Sequence, residues 1–131
     1  MSFIDLFKSR ESREKLSHLK RLVALAFADG KFEKSEMGVI ATVMARDGLE
    51  FSDLERCIKN LKDFKFLPPE TPERRVVCLK DMVFLMMCDG DIDDNELTLC
   101  KATAIELGFK QEVIDAMILD IIADIKRMET S

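Results

Sequence analysis

The sequence predicts a single all-α domain, a helical bundle of about six to seven helices built from two similar three-helix halves. Apolar residues recur at helical spacing along almost the whole chain, and no convincing alternating strand is visible. A chain of 131 residues with 47% hydrophobic content has the size and apolar content of one domain. A short acidic pattern also occurs twice, at an offset of 89 − 29 = 60 positions.

The repeated pattern reads Asp-Gly-x-apolar-acid-x-x-Glu and covers residues 29–36 and 89–96. Residues outside the pattern keep the same register, which indicates an internal duplication with one acidic loop in each half. The matched pairs include Leu19 and Leu79, Val23 and Val83, Gly48 and Gly108, and Ile58 and Ile118.

The first half is expected to cover residues 12–66. Its helices should end at Gly30 and Gly48, because glycine suits the left-handed residue that closes a helix. The hydroxyl of Ser52 should cap the third helix. The expected elements are a short helix over 3–9, then helices over about 12–28, from 34 to 47 and from 52 onward.

Residues 67–71 form the expected connector, because the adjacent Pro68 and Pro69 cannot continue a helix. Thr71 should then cap a new helix that has Pro72 at its first position. The second half, residues 72–127, should contain helices over about 72–87, 94–107 and 111–127.

The last helix has a wide apolar face, so we expect it to pack between the two halves, with three aspartates on its wet side. Its isoleucine stripe is Ile114, Ile118, Ile121 and Ile125, and the aspartates are Asp115, Asp120 and Asp124.

Composition excludes several classes of function. The net charge of −5 disfavours nucleic acid as a partner, and no apolar run is long enough to form a transmembrane segment. The four cysteines form no Cys-x-x-Cys motif, which disfavours structural zinc. We expect buried reduced thiols and therefore a cytoplasmic protein.

The sequence does not predict an enzyme. It has one histidine, His18, no readable nucleophile–base pair, and no glycine-rich phosphate loop. We expect His18 to be a satisfied or exposed side chain and not a ligand.

The repeated loops have a structural interpretation as capped helix corners. Gly30 and Gly90 can adopt the left-handed turn, and Asp93 with Glu96 can form a capping box. Asp29 and Asp89 are then unexplained, since a carboxylate at a helix C-terminus costs roughly 0.3–1 kcal/mol. A bound cation would offset that cost in both loops.

Each loop resembles half of an EF-hand, because the places of the first two calcium ligands hold apolar residues, Leu85 and Met87 in the second loop. Two such halves together could form one site of oxygen ligands. Carboxylates favour hard cations, so calcium, magnesium or manganese is expected. The candidate ligands are Asp29, Glu36, Asp89 and Glu96, with Asp91 and Asp93 in reserve.

The paired Asp-Gly-x5-Glu loops, and most of all the segment 22–30, resemble the TerB-like proteins linked to tellurite resistance. They are also similar to the N-terminal region of some membrane-tethered DnaJ-type co-chaperones. The resemblance covers residues 12–127. It implies a two-half helical bundle and a divalent-cation site at the four acidic positions. Lys31 and Lys34 depart from the acidic pattern and weaken the first loop as a cation site.

Two hypotheses about function remain open. The resemblance implies a non-enzymatic stress-response module that binds a divalent cation and works with a protein partner, at the inner face of the membrane. The alternative is a purely structural protein–protein interaction domain without metal, in which the loops are only capped corners.

Overall fold

The computed structural model describes residues 9–28, 30–62, 65–90 and 92–130. Within these ranges the chain forms six α-helices and no strand, which confirms the all-α prediction. The helix expected over residues 3–9 lies outside them, apart from Ser9, which caps the first described helix. The helices are α1 (Arg10–Ala26), α2 (Lys34–Asp47), α3 (Phe51–Lys59), α4 (Pro72–Met87), α5 (Asp94–Glu106) and α6 (Gln111–Thr130).

The helix starts follow capping chemistry, with one correction. Thr71 caps α4 as predicted, since its hydroxyl oxygen accepts a hydrogen bond from the Arg74 amide at 3.3 Å. The prediction that Ser52 caps α3 is wrong. Glu50 is the N-cap, and its amide donates to the Asp53 carboxylate at 2.8 Å, so the cap lies two residues earlier.

The two loop glycines take left-handed conformations, but they follow the helix ends instead of forming them. Gly30 has φ of 83° and Gly90 has φ of 91°. Their amides donate to the carbonyl oxygens of Phe27 at 3.0 Å and of Met87 at 3.1 Å. Each glycine therefore closes a turn just beyond its helix, where a side chain would strain the backbone.

Helices α1 and α4 lie side by side and run in the same direction. An ion pair joins Glu11 to Arg74 at 3.0 Å near their starts, and His18 contacts Asp81 at 2.8 Å further along both helices. Since the chain advances together in the two helices, both end at the same end of the bundle. The acidic loops that follow them are therefore close in space.

The other helices surround this central pair. Helix α1 also packs against α2, α3 and α5, and α4 also packs against α2, α5 and α6. The fully buried side chains of the pair confirm the apolar stripe expected for both helices. They include Leu19, Leu22, Leu25, Leu79, Val83 and Met86.

Helix α6 buries its predicted isoleucine stripe, but its position was predicted wrongly. Ile114, Ile118, Ile121 and Ile125 are all buried, and the three aspartates opposite them are exposed. The helix packs against α4 and α5 and not between two halves. No helix in the described ranges is long and apolar enough to cross a membrane.

The connector is fixed by hydrogen bonds between side chains and the main chain. The Leu67 amide donates to the Ser17 hydroxyl at 2.8 Å, and the Arg75 guanidinium donates to the Pro69 carbonyl at 2.6 Å. Phe66 inserts its ring into the core. These contacts satisfy main-chain groups that the prolines remove from regular structure.

We expect Gly108→Ala to destabilise the fold more than Gly48→Ala. Both glycines have positive φ, 97° and 71°, so both substitutions add strain of about 1 kcal/mol or more. A Cβ at Gly108 would also lie 2.8 Å from the Arg75 guanidinium, which donates to the Leu107 carbonyl at 3.0 Å, whereas the space at Gly48 is open. Urea unfolding of both variants checks this order, and equal losses would contradict it.

Candidate functional site

The first acidic loop ends in a capping box. Glu36, at the third position of α2, is only 1% exposed, and its carboxylate accepts the Glu33 amide at 2.8 Å. Phe32 packs its ring against Phe27, with 4.8 Å between the ring centroids. Although glutamate is a weaker cap than aspartate, this loop forms the box that the sequence indicated.

The second loop is capped by Asp93, as predicted. One carboxylate oxygen of Asp93 accepts hydrogen bonds from the amides of Asn95 at 2.8 Å and Glu96 at 3.2 Å. Glu96 is 1% exposed, whereas Asp89 is exposed. The capping role of Asp93 leaves it poorly placed for its predicted reserve role as a ligand.

Cys88 reports that the two loops share one environment. Burial raises the pKa of its thiol, and the charges of Glu36, Asp89 and Glu96 raise this pKa further, against a hydrogen bond with Ser35 that lowers it. Glu36 comes from the first loop, while the other two carboxylates come from the second. Three of the four predicted ligand positions therefore act on the same thiol.

The complete predicted ligand set extends beyond the described residues, because Asp29 and Asp91 lie outside them. Among the residues that the structure describes, no group of three or more His, Cys, Asp or Glu side chains is arranged to hold a metal ion. Two buried carboxylates suit a hard cation in their chemistry. They do not form a full coordination shell by themselves, so the four-carboxylate site stays a prediction.

All four cysteines are free thiols, which agrees with the expectation of reduced cysteine. Cys57, Cys78 and Cys100 are buried, and Cys88 is half-buried. Burial raises the pKa of Cys100 to about 12. A thiol in that environment is unreactive.

A buried polar network that the sequence did not predict joins three helices. The Nε2 atom of His18 lies 2.8 Å from the Asp81 carboxylate, and Arg46 donates to both oxygens of that carboxylate at 2.8 and 3.1 Å. His18 is 4% exposed, so the expectation of a satisfied side chain holds for Nε2. Its Nδ1 atom is buried without a hydrogen-bond partner.

This network raises the pKa of His18 to about 9. Burial alone would lower that pKa, but the Asp81 carboxylate and the neighbouring Cys78 sulfur favour the imidazolium. Burial opposes the ionisation of Asp81 too, yet hydrogen bonds with His18 and Arg46 hold its pKa below the usual range.

A sequence signal for this network exists at the offset of the repeat. Arg21 and Asp81 occupy matching positions of the two halves (81 − 21 = 60), as do Arg46 and Glu106 (106 − 46 = 60). The structure pairs Arg46 with Asp81 at 2.8 Å and Arg21 with Glu106 at 2.9 Å. The two ion pairs thus occupy matching positions with their charges reversed.

Comparisons with known proteins do not assign the chain to a family. No protein-family model matches it, and neither the curated proteins nor the solved structures include a significant match. The resemblance to TerB-like proteins therefore rests on the repeated loops themselves. What that resemblance implies about function is a proposal.

We expect His18 to remain an imidazolium up to a pH of about 9. Since it is the only histidine, its ring signals in an NMR titration are unambiguous. Asp81→Asn should lower this pKa, because the partner that favours the charged form is lost. Asp47→Asn, which changes a carboxylate paired with Arg46 and leaves Asp81 intact, is the control. A wild-type midpoint near 6.5 would contradict the assignment.

Proposed function

We propose that this protein is a non-enzymatic helical module that binds a divalent cation through its paired acidic loops and acts through a protein partner. One observation carries the proposal: Glu36 and Glu96 are both 1% exposed, and both act on the Cys88 thiol. They come from different loops, one in each half of the sequence. The site would therefore be shared between the two loops.

We infer that the bundle arose by duplication, because the packing follows the sequence offset. The first residues of α5 and α6 match those of α2 and α3 at the same offset (94 − 34 = 60 and 111 − 51 = 60). The ion pairs Arg21–Glu106 and Arg46–Asp81 also occur at matching positions. A pseudo-twofold relation of this kind would place the two loop glutamates as equivalent ligands.

A cation would relieve an electrostatic cost at the loops. Removing a carboxylate from water is unfavourable, and two such groups near each other repel. Asp89 adds a third negative charge at the rim. Calcium, magnesium and manganese accept oxygen ligands of this type, and Asp29 would complete the set.

The alternative function is a structural interaction domain whose loops bind no metal. The bond from the Glu33 amide to Glu36 favours it, since the carboxylate already has a role at the start of α2. The helix N-terminus also stabilises a negative charge there by about 0.3–1 kcal/mol. Under this alternative, loss of either glutamate would weaken the fold with or without a cation.

The TerB-like resemblance provides the proposed setting, a stress-response assembly at the inner face of the membrane, in the cytoplasm. A protein partner could use the groove of about 610 Å³ between α4 and α6. Phe84, Ile121 and Met128 line this groove, and Phe84 is 46% exposed. Apolar side chains exposed together in a groove are typical of binding surfaces.

A titration of chelator-stripped protein with calcium, magnesium and manganese tests the proposal. We expect heat of binding and a rise in Tm, because a ligand at about 100 times its Kd stabilises the folded state by about 2.7 kcal/mol. Glu36→Gln/Glu96→Gln should abolish both effects. Glu112→Gln/Asp120→Asn removes the same charge from exposed positions on α6 and should leave them intact.

Two results would overturn the cation-binding proposal. One is wild-type protein that shows neither heat nor a Tm shift up to millimolar ion. The other is a Glu36→Gln/Glu96→Gln variant that binds like the wild type. The metal-free stability of this variant separates the hypotheses further. A gain indicates relief of repulsion between carboxylates, whereas a loss indicates that capping dominates.

A further inference from the structure

Cys78 lies beside the buried His18–Asp81 pair and away from the acidic loops. Cys78 and Asp81 are three residues apart on α4, so they share one face of that helix. His18 of α1 packs against this face and contacts the Asp81 carboxylate through Nε2 at 2.8 Å. The thiol therefore lies on the face of α4 that the imidazole contacts.

The orphaned nitrogen of His18 needs an acceptor. As an imidazolium, His18 has protons on both ring nitrogens, and Nε2 donates to Asp81. Nδ1 is buried without a hydrogen-bond partner, and the Cys78 sulfur is close enough to act on the ring electrostatically. A thiolate would accept the Nδ1 proton, whereas a neutral thiol would leave a buried charged donor unsatisfied.

A small cavity gives access to this group. Its volume is about 300 Å³, and both His18 and Cys78 line it. Cys78 is 5% exposed, which limits access to small reagents. The charged side chains that line the same cavity are Lys15, Arg46, Asp47 and Arg74, an excess of positive charge that favours a thiolate.

We propose that Cys78 is a peroxide-reactive thiolate, paired with the His18 imidazolium, and that Asp81 and Arg46 act as positioning residues. The four groups form a chain of alternating charge from the Cys78 sulfur to the Arg46 guanidinium. This proposal is independent of cation binding at the loops.

The reaction with a hydroperoxide balances with the groups present. The Cys78 sulfur attacks the terminal peroxide oxygen, so that an S–O bond forms and the O–O bond breaks. The sulfur is oxidised to a sulfenic acid, and the peroxide is reduced to an alkoxide or hydroxide. The Nδ1 proton of His18 moves to this leaving group, which departs as an alcohol or water.

The other cysteines provide internal controls. Cys57 and Cys100 are fully buried, and the half-buried Cys88 has a raised pKa because of burial and nearby carboxylates. Exposure alone would make Cys88 the most reactive thiol of the chain. We expect Cys78 to react in preference because of its charge state.

Hydrogen peroxide with a sulfenic-acid trap, followed by mass spectrometry, tests the proposal on the full chain. Trypsin releases Cys78 in the peptide 76–80, separate from Cys88 in the peptide 81–101. We expect trapping at Cys78. His18→Gln should reduce it by up to about 30-fold at pH 7, because an ordinary thiol is only about 3% thiolate there. Asp47→Asn is the matched control.

The pH profile of wild-type alkylation by iodoacetamide decides the case even if His18→Gln fails to fold. A paired thiolate should react at Cys78 at a nearly constant rate from pH 6 to 8. An unpaired thiol accelerates by about tenfold per pH unit below its pKa. That slope at Cys78, trapping confined to Cys88, or undiminished trapping in a folded His18→Gln variant would overturn the proposal.

Discussion

The parallel pairing of α1 and α4 is the constraint on which the rest of the structure depends. The two helices bury their apolar stripes against each other and against the surrounding helices. Because they run in the same direction, their C-terminal ends and the loops that follow lie at one end of the bundle. Glu36 and Glu96 are close for this reason, although they belong to different halves of the sequence. An antiparallel pair would place the two loops at opposite ends, and neither a shared site nor their joint effect on Cys88 could arise.

The same interface contains polar groups that apolar packing does not require. His18, Asp81 and Arg46 form a buried chain of hydrogen bonds, which costs desolvation and is stable only when its members remain paired. Breaking such a pair leaves an uncompensated charge, so the network fixes the register of α1 on α4 and of α2 on α4. The reversed pair Arg21–Glu106 does the same for α5 on α1. Stability and the proposed thiol chemistry thus depend on the same groups.

Local signals predicted most of the fold, and long-range pairing limited the rest. Thr71 and Pro72 marked the start of α4 correctly, because capping depends on adjacent residues alone. Ser52 was the wrong cap since glutamate at position 50, a weak cap by propensity, forms a box with Asp53. The place of α6 and the partner of His18 depend on tertiary contacts, which periodicity along one helix does not contain. For the candidate site, the two glutamates were predicted, whereas their burial required the fold.

A double-mutant cycle on Glu36 and Glu96 tests most directly whether the two loops meet. The unfolding free energies of metal-free wild type, Glu36→Gln, Glu96→Gln and the double variant give the coupling between the two carboxylates. We expect a coupling of at least about 0.5 kcal/mol, with the first substitution relieving repulsion that the second can no longer relieve. Additive effects would contradict the account, because they would mean that the two acidic loops do not sense each other.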